Sequence, residues 1–333
     1  MASNTGLTRS TFAKLSPHPY LLANLDPASD NVRSARSNGR ARNESRKPTV
    51  NASSLSHANG SAVLRIGDTT VICGVRGETI LTPNIPSYRA SNTETELKEY
   101  DLLVPNIELA TGCAPQFLPG GPPSTLAQTL STRIYSLLHS SKIIKPDDLR
   151  IWHTAPSEEL EDRMEEDDED TANENRSVVA YWVLYIDIFF ISFDGNPFDA
   201  AWAATMAALR DTKLPGARYD VDREMIVCSR QELRPLSIIN TPFACTAVVF
   251  TGKETDRPTD GKFWLLVDPD RLEESLCDES VTVVVDCKDG YVNILSISKH
   301  GGTALTPQFL TSEQFLGWAT KRWEEFNTAI IQP

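Results

Sequence analysis

The longest apolar run, residues 177–192 (SVVAYWVLYIDIFFIS), constrains the fold of this chain more than any other segment. It is shorter than the roughly 20 residues that a membrane-spanning helix needs, and it carries Asp187 within it. Because β-branched and aromatic residues dominate the run, it is typical of strands that are buried in a sheet. The segment therefore predicts one or two interior strands and no membrane span.

The length and composition of the chain fit a protein with a sizeable core. The 333 residues, of which 40% are hydrophobic, suffice for one large domain or two ordinary ones. Residues 1–20 hold no continuous apolar stretch followed by a small-residue cleavage site, so we expect an intracellular protein. The six cysteines are widely scattered, which favours reduced core thiols. We predict no metal and no cofactor, although a zinc site assembled from distant segments stays open.

The net charge of −13 is concentrated in one segment. Residues 157–170 (SEELEDRMEEDDED) hold ten acids and one arginine, a local charge of −9 that leaves −4 for the rest of the chain. Such a block repels itself and has little surface to bury, which favours a disordered acidic loop, residues 156–176, between two strands. The alternative is a docking segment for a basic partner. Because the rest of the chain is close to neutral, its overall charge does not exclude contact with nucleic acid.

Short β-branched or alternating runs predict strands on both sides of the acidic loop. The first two are joined by Ile66, Gly67 and Asp68, a turn that indicates a hairpin. Pro105 places the third at a sheet edge or a bulge, because proline cannot donate to a strand ladder. The predicted strands cover residues 62–65, 69–76, 102–109, 178–193, 244–250, 263–267, 281–286 and 291–297.

Apolar residues at helical spacing predict three helices. The first spans residues 124–140 with Ser124 as a possible cap, and the second, residues 198–210, is rich in alanine and can pack closely on a sheet. The third spans residues 311–331 and begins at a possible capping box. Its buried stripe is expected to contain Phe315, Trp318, Ala319, Arg322, Phe326 and Ile330.

The order of these elements predicts an α+β fold with two linked halves of sheet and helix. An N-terminal extension, residues 1–30, precedes a first half, residues 31–215, which carries the acidic loop. The second half, residues 216–333, ends in the C-terminal helix.

The opening motifs of the chain resemble those of the RNase PH family. There, an R-x-D-G-R-x-x-x-E element precedes a D-G-S-A strand and a G-x-T-x-V strand. Here, residues 36–44 (RSNGRARNE), 59–62 (NGSA) and 67–71 (GDTTV) stand in the same order. Asn38 and Asn59 replace the family's usual aspartates, and asparagine also serves turns well. The resemblance implies an RNase PH-like fold.

Later motifs continue the resemblance over most of the chain. Residues 194–196 (DGN) lead into the alanine-rich helix, and residues 265–274 (LLVDPDRLEE) contain a D-P-x-x-x-E-E form. This form and the region from residue 226 to residue 250 look most like the non-catalytic ring-subunit branch of the eukaryotic RNA exosome.

The chain departs from the family at the phosphate-binding position. Active members cleave RNA with inorganic phosphate, which is held by a Thr or Ser and an Arg in the sequence D-G-G-T-R-T-A-A. Residues 194–201 (DGNPFDAA) place Pro197 at the hydroxyl position and Phe198 at the arginine position. Neither can replace the charged, planar fork with which arginine pairs with phosphate oxygens. The resemblance therefore implies a chain that is not an enzyme and has no catalytic residues.

Asp268 and Glu274 correspond to two of the family's carboxylate positions. The structural interpretation is that they cap a helix or accept hydrogen bonds in a loop, as aspartates near turns commonly do. A bare acidic pair could instead bind Mg²⁺ for hydrolysis, but no third acid or histidine clusters with it in the sequence. We predict degenerate remnants of a site.

Three arginines are candidates for RNA contact. Arg36 and Arg40 belong to a basic cluster at residues 36–47. This cluster has two interpretations: a solvated loop, or a surface that contacts RNA or a neighbouring ring subunit. Arg133, on the helix that follows Ser124, is a second and independent candidate.

The resemblance implies a non-catalytic structural subunit that helps to form an RNA-threading channel. Its expected partners are other RNase PH-like ring subunits, cap subunits with oligonucleotide-binding folds, an associated 3′-to-5′ nuclease and RNA in the central channel. The implied processes are rRNA maturation and mRNA turnover, in the nucleus, nucleolus and cytoplasm. The alternative is a phosphorolytic 3′-to-5′ exoribonuclease subunit with a shared active site, whose arginine comes from elsewhere in the chain or from a neighbour.

Overall fold

The structure contains the strands and helices that the sequence patterns predict, and it adds elements that they did not predict: four strands, at residues 48–52, 150–154, 213–220 and 225–235, and five short helices. The structure, a computed structural model, describes residues 8–27, 33–92, 95–118, 121–154, 176–252, 263–288, 290–302, 304–310 and 312–331. Its strands are β1 (Pro48–Ala52), β2 (Gly60–Ile66), β3 (Thr69–Leu81), β4 (Leu103–Leu109), β5 (Arg150–Thr154), β6 (Arg176–Ser192), β7 (Lys213–Asp220), β8 (Met225–Pro235), β9 (Phe243–Thr251), β10 (Phe263–Val267), β11 (Glu279–Lys288) and β12 (Tyr291–His300). Its helices are α1 (Arg9–Leu15), α2 (Pro17–Leu25), α3 (Glu96–Glu99), α4 (Thr125–Ser140), α5 (Pro197–Asp211), α6 (Arg271–Leu276), α7 (Pro307–Leu310) and α8 (Glu313–Ile331).

The apolar run forms one long strand, β6, around which the first sheet is built. One edge of β6 pairs with β3, and the other edge pairs first with β5 and then with β4. The sheet order is β1-β2-β3-β6-β4, and β4 runs parallel to β6 at the end of that order. The predicted edge position of Pro105 is therefore confirmed. The predicted hairpin is also confirmed, since β2 and β3 pair antiparallel across a turn in which Gly67 has a φ of 59°.

A four-stranded antiparallel sheet in the order β10-β9-β11-β12 forms the second half. Helix α8 covers one face, where Phe315, Ala319 and Phe326 are fully buried. The Phe315 amide donates to Ser312 Oγ, so Ser312 caps the N-terminus of α8. The predicted capping box begins at residue 311, which lies outside the described residues.

Helix α5 joins the two halves. It packs on β2 and β3 of the first sheet and on β9 of the second, so its residues from Pro197 to Leu209 are all buried. Ala200, Ala201 and Ala204 are completely covered, as the predicted close approach to a sheet requires. One hydrophobic core therefore continues from the first half into the second.

The N-terminal extension also takes part in a core. Leu21 and Leu25 of α2 pack with Val248, Phe250 and Trp264 on strands β9 and β10. The start of the chain is thus attached to its second half. The acidic loop, residues 156–176, lies outside the described residues except for Arg176, the first residue of β6. None of the described helices combines the length and apolar character that crossing a membrane requires.

Candidate functional site

The residues singled out by sequence meet where the N-terminus of α5 approaches the segment that links β10 to α6. Gly195, with a φ of 77°, allows this approach, because a Cβ atom there would lie 2.5 Å from the carbonyl carbon of Asp270. The loop that contains Arg36 and Arg40 lies against the same segment through hydrogen bonds to Asp268. The geometry therefore brings together positions that are more than 200 residues apart in sequence.

Asp268 is a fully buried acceptor at the centre of this region. Arg46 donates to both of its oxygens at 2.9 Å, and Asn196 Nδ2 donates to Oδ1 at 2.8 Å. Burial alone would raise the pKa of Asp268, but the Arg46 hydrogen bonds and the charge of Arg322 hold that pKa well below its ordinary value. The lowered pKa favours the charged form of this carboxylate, and both of its oxygens accept hydrogen bonds within the protein.

Glu274 occupies the N-terminus of α5. Its Oε1 accepts a hydrogen bond of 2.7 Å from the backbone amide of Asn196, the residue that precedes the helix. Burial raises the pKa of Glu274 to about 7, against the opposing effects of that hydrogen bond and of Arg46. Amides at a helix N-terminus are an anion-binding site, and here a carboxylate of the same chain takes one of them.

Pro197 and Phe198 begin the helix. Proline suits this first position, where its missing amide costs no helical hydrogen bond. The Phe198 side chain is buried, and the guanidinium carbon of Arg133 lies 3.9 Å from the centre of its ring. An arginine from α4 thus covers the aromatic ring at the position where active relatives are expected to carry their own arginine.

Arg36 is buried in an ion pair with Glu273, so a solvated loop is wrong for this residue. Its Nε donates to Glu273 Oε1 at 2.7 Å, and its Nη1 donates to the carbonyl of Val267 at 2.6 Å. RNA could contact this guanidinium only if the pair opened. Arg40 is partly buried and bonds to Asp268, so RNA contact through its exposed fraction stays a prediction.

Sequence reasoning placed Glu273 in a motif and Arg322 on a helical stripe, but it identified no partner for either residue. Glu273 pairs with Arg36 and also completes a capping box with Asp270 at the start of α6. Arg322 is buried and donates to the carbonyl of Arg46 at 2.7 Å. The helical stripe placed Arg322 on the buried face of α8, but no local signal identified its partner.

Asp199 is a further buried carboxylate that the sequence did not single out. Thr246 donates to it from both its backbone amide, at 2.9 Å, and its hydroxyl, at 2.6 Å, and Asn196 Nδ2 donates at 2.9 Å. Burial raises the pKa of Asp199, while these hydrogen bonds oppose the rise. Over the described ranges, no three His, Cys, Asp or Glu side chains are grouped so that they could hold a metal ion. Arg46 and Asn196 already donate to the oxygens of Asp268, and the positive charge of Arg46 repels a cation, so Asp268 is poorly suited to bind Mg²⁺.

Comparison with known proteins places these features in a family. Residues 44–215 match domain 1 of the 3′ exoribonuclease family, RNase PH, and residues 240–312 match domain 2. Exosome complex component rrp43 of Schizosaccharomyces pombe is 33% identical over 305 residues, covering 91% of this chain and 92% of that protein. Exosome complex component Rrp42 of Methanothermobacter thermautotrophicus is 28% identical over 274 residues, or 81% of each chain.

Solved structures agree on the fold. A chain of the Archaeoglobus fulgidus exosome, solved with RNA bound to the active site, superposes with a TM-score of 0.63 at 24% identity, covering 93% of this chain and 96% of that one. A chain of an archaeal exosome core superposes with a TM-score of 0.60 at 23% identity and the same coverage. At these identities the likeness shows the fold alone.

Proposed function

Because the chain belongs to the RNase PH family of 3′ exoribonucleases, we propose that it is a ring subunit of an RNA exosome and has no phosphorolytic site of its own. Exosome components of a fungus and of an archaeon match it over at least 81% of its length. This coverage supports a subunit built on the whole two-half fold.

The occupied N-terminus of α5 carries the non-catalytic part of the proposal. Phosphorolysis needs an anion site that is open to inorganic phosphate, with a cation beside it. Here Glu274 bonds to the Asn196 amide, and Phe198 presents an aromatic ring. A carboxylate with a pKa of about 7 is at least partly charged at neutral pH and repels phosphate from the same amides.

The structural role proposed for the chain rests on its exposed edges. Strand β12 ends the second sheet, and on it Val292, Ile294 and Ile297 are each between 38% and 42% exposed. An apolar edge strand invites pairing with another chain, and a closed ring would cover such edges. The proposed partners are related RNase PH-like subunits, cap proteins with oligonucleotide-binding folds, a separate 3′-to-5′ nuclease and RNA in the channel. The proposed settings are rRNA maturation and mRNA turnover in the nucleus, nucleolus and cytoplasm.

One observation favours a second candidate function, a phosphorolytic subunit. Arg133 brings a guanidinium to within 3.9 Å of the Phe198 ring centre, so an arginine from another element lies where the family's arginine is missing. In this candidate Arg133 would bind the attacking phosphate, and Glu274 would have to leave the helix N-terminus.

Product analysis tests the two candidates directly. The purified full-length chain is incubated with oligo(A) and inorganic phosphate, and nucleoside diphosphate release is measured against a boiled sample and a phosphate-free sample. We expect no phosphate-dependent release. Release that depends on phosphate and is lost in Arg133→Gln would overturn the non-catalytic proposal in favour of the second candidate.

Association tests the structural role. Alone, the chain should self-associate, because its edge strand and apolar residues are uncovered. Co-expression with an RNase PH-like partner should convert it to a defined hetero-oligomer, measured by size-exclusion chromatography with light scattering. A stable monomer that ignores every ring partner would refute the proposal.

A further inference from the structure

Strand β10 has an open edge along part of its length. It ends the second sheet, so β9 pairs with one of its edges and the other edge faces outward. At Val267 the outer edge is occupied, since the Val267 amide donates to the Arg42 carbonyl at 3.0 Å and the Val267 carbonyl accepts from Arg36 Nη1 at 2.6 Å. Backbone groups of successive strand residues point to alternate edges, so those of Leu265 and Phe263 also point outward.

The outward backbone groups of Leu265 and Phe263 are unpaired. Within the part of the chain that the structure describes, neither amide donates and neither carbonyl accepts a hydrogen bond on this edge. Open peptide groups at the edge of a sheet are a template for pairing with another chain. The edge therefore offers two amides and two carbonyls to an incoming strand.

A groove of about 460 Å³ borders this edge. This edge groove is formed by residues 33–34, 41–43 and 263–265 and by helices α7 and α8. Phe309 and Trp318 line it beside Phe263, which is 36% exposed and makes an edge contact with the Phe309 ring at 6.4 Å between centroids. Its volume falls in the range of clefts that hold ligands, so it can take a large apolar side chain of an incoming strand.

The edge groove also carries two positive charges without partners. Arg33 and Arg42 are exposed, and neither guanidinium forms an ion pair or a hydrogen bond with a described residue. Arg36, Arg40 and Arg46, in contrast, already pair with carboxylates. No acidic side chain is present among the described residues that line the groove. Its charge therefore suits an acidic ligand.

A peptide matches these features better than a nucleic acid does. Aromatic rings and arginines alone could also stack bases and attract phosphates. The outward amides and carbonyls of β10, however, are spaced for the backbone of another strand, and peptides that add a strand to a sheet edge gain main-chain hydrogen bonds there. The open backbone thus decides between the two classes of ligand.

We propose that the edge groove binds an extended, acidic segment of a partner protein that carries an aromatic residue. The segment adds a strand to the outer edge of β10. Its aromatic side chain packs on Phe309 and Trp318, and its carboxylates pair with Arg33 and Arg42. This docking site does not depend on whether the chain is a ring subunit, because every group that forms it belongs to this chain.

Selection from a peptide library tests the proposal. Random peptides of about nine residues, which reach about 30 Å when extended, are displayed on phage and selected on the full-length chain, both alone and co-expressed with an RNase PH-like partner. The enriched peptide is then synthesised with a fluorescent label and titrated by anisotropy. We expect the enriched sequences to share an aromatic residue flanked by acidic residues.

Variants of the groove test the two kinds of side-chain contact. Arg33→Glu combined with Arg42→Glu replaces two attractions with two repulsions and should weaken the enriched peptide by at least about tenfold. Phe263→Ala removes part of the aromatic wall and should weaken it by about tenfold, as loss of an aromatic anchor does. Arg210→Glu makes the same change at an exposed arginine outside the groove and should leave the affinity unchanged. Thermal midpoints report whether each variant is folded.

Methylation of the peptide backbone separates strand addition from contact through side chains alone. An N-methyl group removes one amide donor. At the alternate peptide residues whose amides face β10, each methylation should weaken binding by about fivefold, the loss of one hydrogen bond. At the residues between them, whose amides face solvent, methylation should have no such effect.

Four results would overturn the inference. If no peptide is enriched on wild type over the doubly reversed variant, the groove is not a peptide site. Equal affinity for all methylated peptides would exclude strand addition. Binding to the lone chain that is lost in the co-expressed complex would assign the edge to contact between subunits. Single-stranded RNA that binds through Arg42 where no peptide does would make the groove a nucleic-acid site. The proposed ring function is decided separately, by co-elution and by nucleoside diphosphate release.

Discussion

Replacing Glu274 with glutamine should stabilise the protein at neutral pH and have little effect near pH 4. The amide oxygen of glutamine can still accept from the Asn196 backbone, but it carries no charge. In the wild type, burial raises the pKa of Glu274 from its ordinary 4.5 to about 7, so folding disfavours the charged form. The variant removes that cost wherever the wild-type carboxylate is ionised.

The magnitude follows from the two pKa values. Below pH 4.5 Glu274 is protonated in both the folded and the unfolded chain, and its charge costs nothing. Between pH 4.5 and about 7 the unfolded chain loses this proton first, so wild-type stability falls as pH rises. About one pH unit above the folded-state pKa the difference becomes constant, at about 3 kcal/mol. The pKa of Asp268 is lowered, so its own contribution to stability is lost only at acidic pH. This loss is the same in wild type and variant and therefore cancels from the difference in the free energy of unfolding.

Urea unfolding at a series of pH values measures the effect. The free energy of unfolding of Glu274→Gln minus that of wild type should rise by about 3 kcal/mol between pH 4.5 and about pH 8 and then level off. Glu324→Gln, on the exposed surface of α8, makes the same chemical change at a solvated site and serves as the control. A difference that is independent of pH, or a variant less stable than wild type at pH 8, would refute the burial argument.

Three further changes test other features. Arg36→Met removes the nearest cation of the buried Glu273 carboxylate, leaves it only the longer contact of 3.8 Å to Arg40, and should lower the free energy of unfolding by about 3 kcal/mol in urea titrations; a loss below about 1 kcal/mol would show that the pair is dispensable. Pro197→Thr combined with Phe198→Arg should not create phosphate-dependent release of nucleoside diphosphates, because Glu274 still occupies the helix N-terminus, and the appearance of such release would contradict that explanation. Deleting residues 158–170 should leave the thermal midpoint and partner co-elution unchanged, since loop-closure entropy grows slowly with length, and a drop of several degrees would indicate a docked segment.

Strong local patterns account for the parts of the fold that the sequence predicted well. Ser124 caps α4 through a hydrogen bond to the Ala127 amide, and the helix ends at the predicted residue. The alanine-rich pattern placed α5 within one residue of both observed ends. Periodicity and capping depend on neighbouring residues, so a single sequence contains the information needed to find them.

The ion network could not be predicted because its partners are remote in the chain. Arg36 and Glu273 are 237 positions apart, so the cluster that contains Arg36 read as an exposed basic loop. The carboxylates that pair with this cluster belong to the second half: Asp268 lies in the turn after β10, and Glu273 lies in the short helix α6. A run of basic residues indicates a solvated surface only if no acidic residues from distant parts of the chain pack against it. Sequence composition does not show which distant residues come together in the fold.

Asn196 illustrates a different limit. In the sequence it stands where the family motif has a glycine, and the structure gives it a left-handed backbone with a φ of 50°. Its side chain, however, links Asp199 to Asp268 across the junction of the halves. That bridging role depends on tertiary geometry.

The packing of α2 on strands β9 and β10 sets an order for events during translation. The helix leaves the ribosome early, but its binding surface is complete only after Val267 has been synthesised, roughly 240 residues later. At about 5 to 20 residues per second, this interval lasts about 10 to 50 s. Throughout it, Leu21 and Leu25 have no native surface to cover them. Helix α2 is therefore made well before its binding surface, and its two buried leucines stay uncovered while the intervening residues are synthesised.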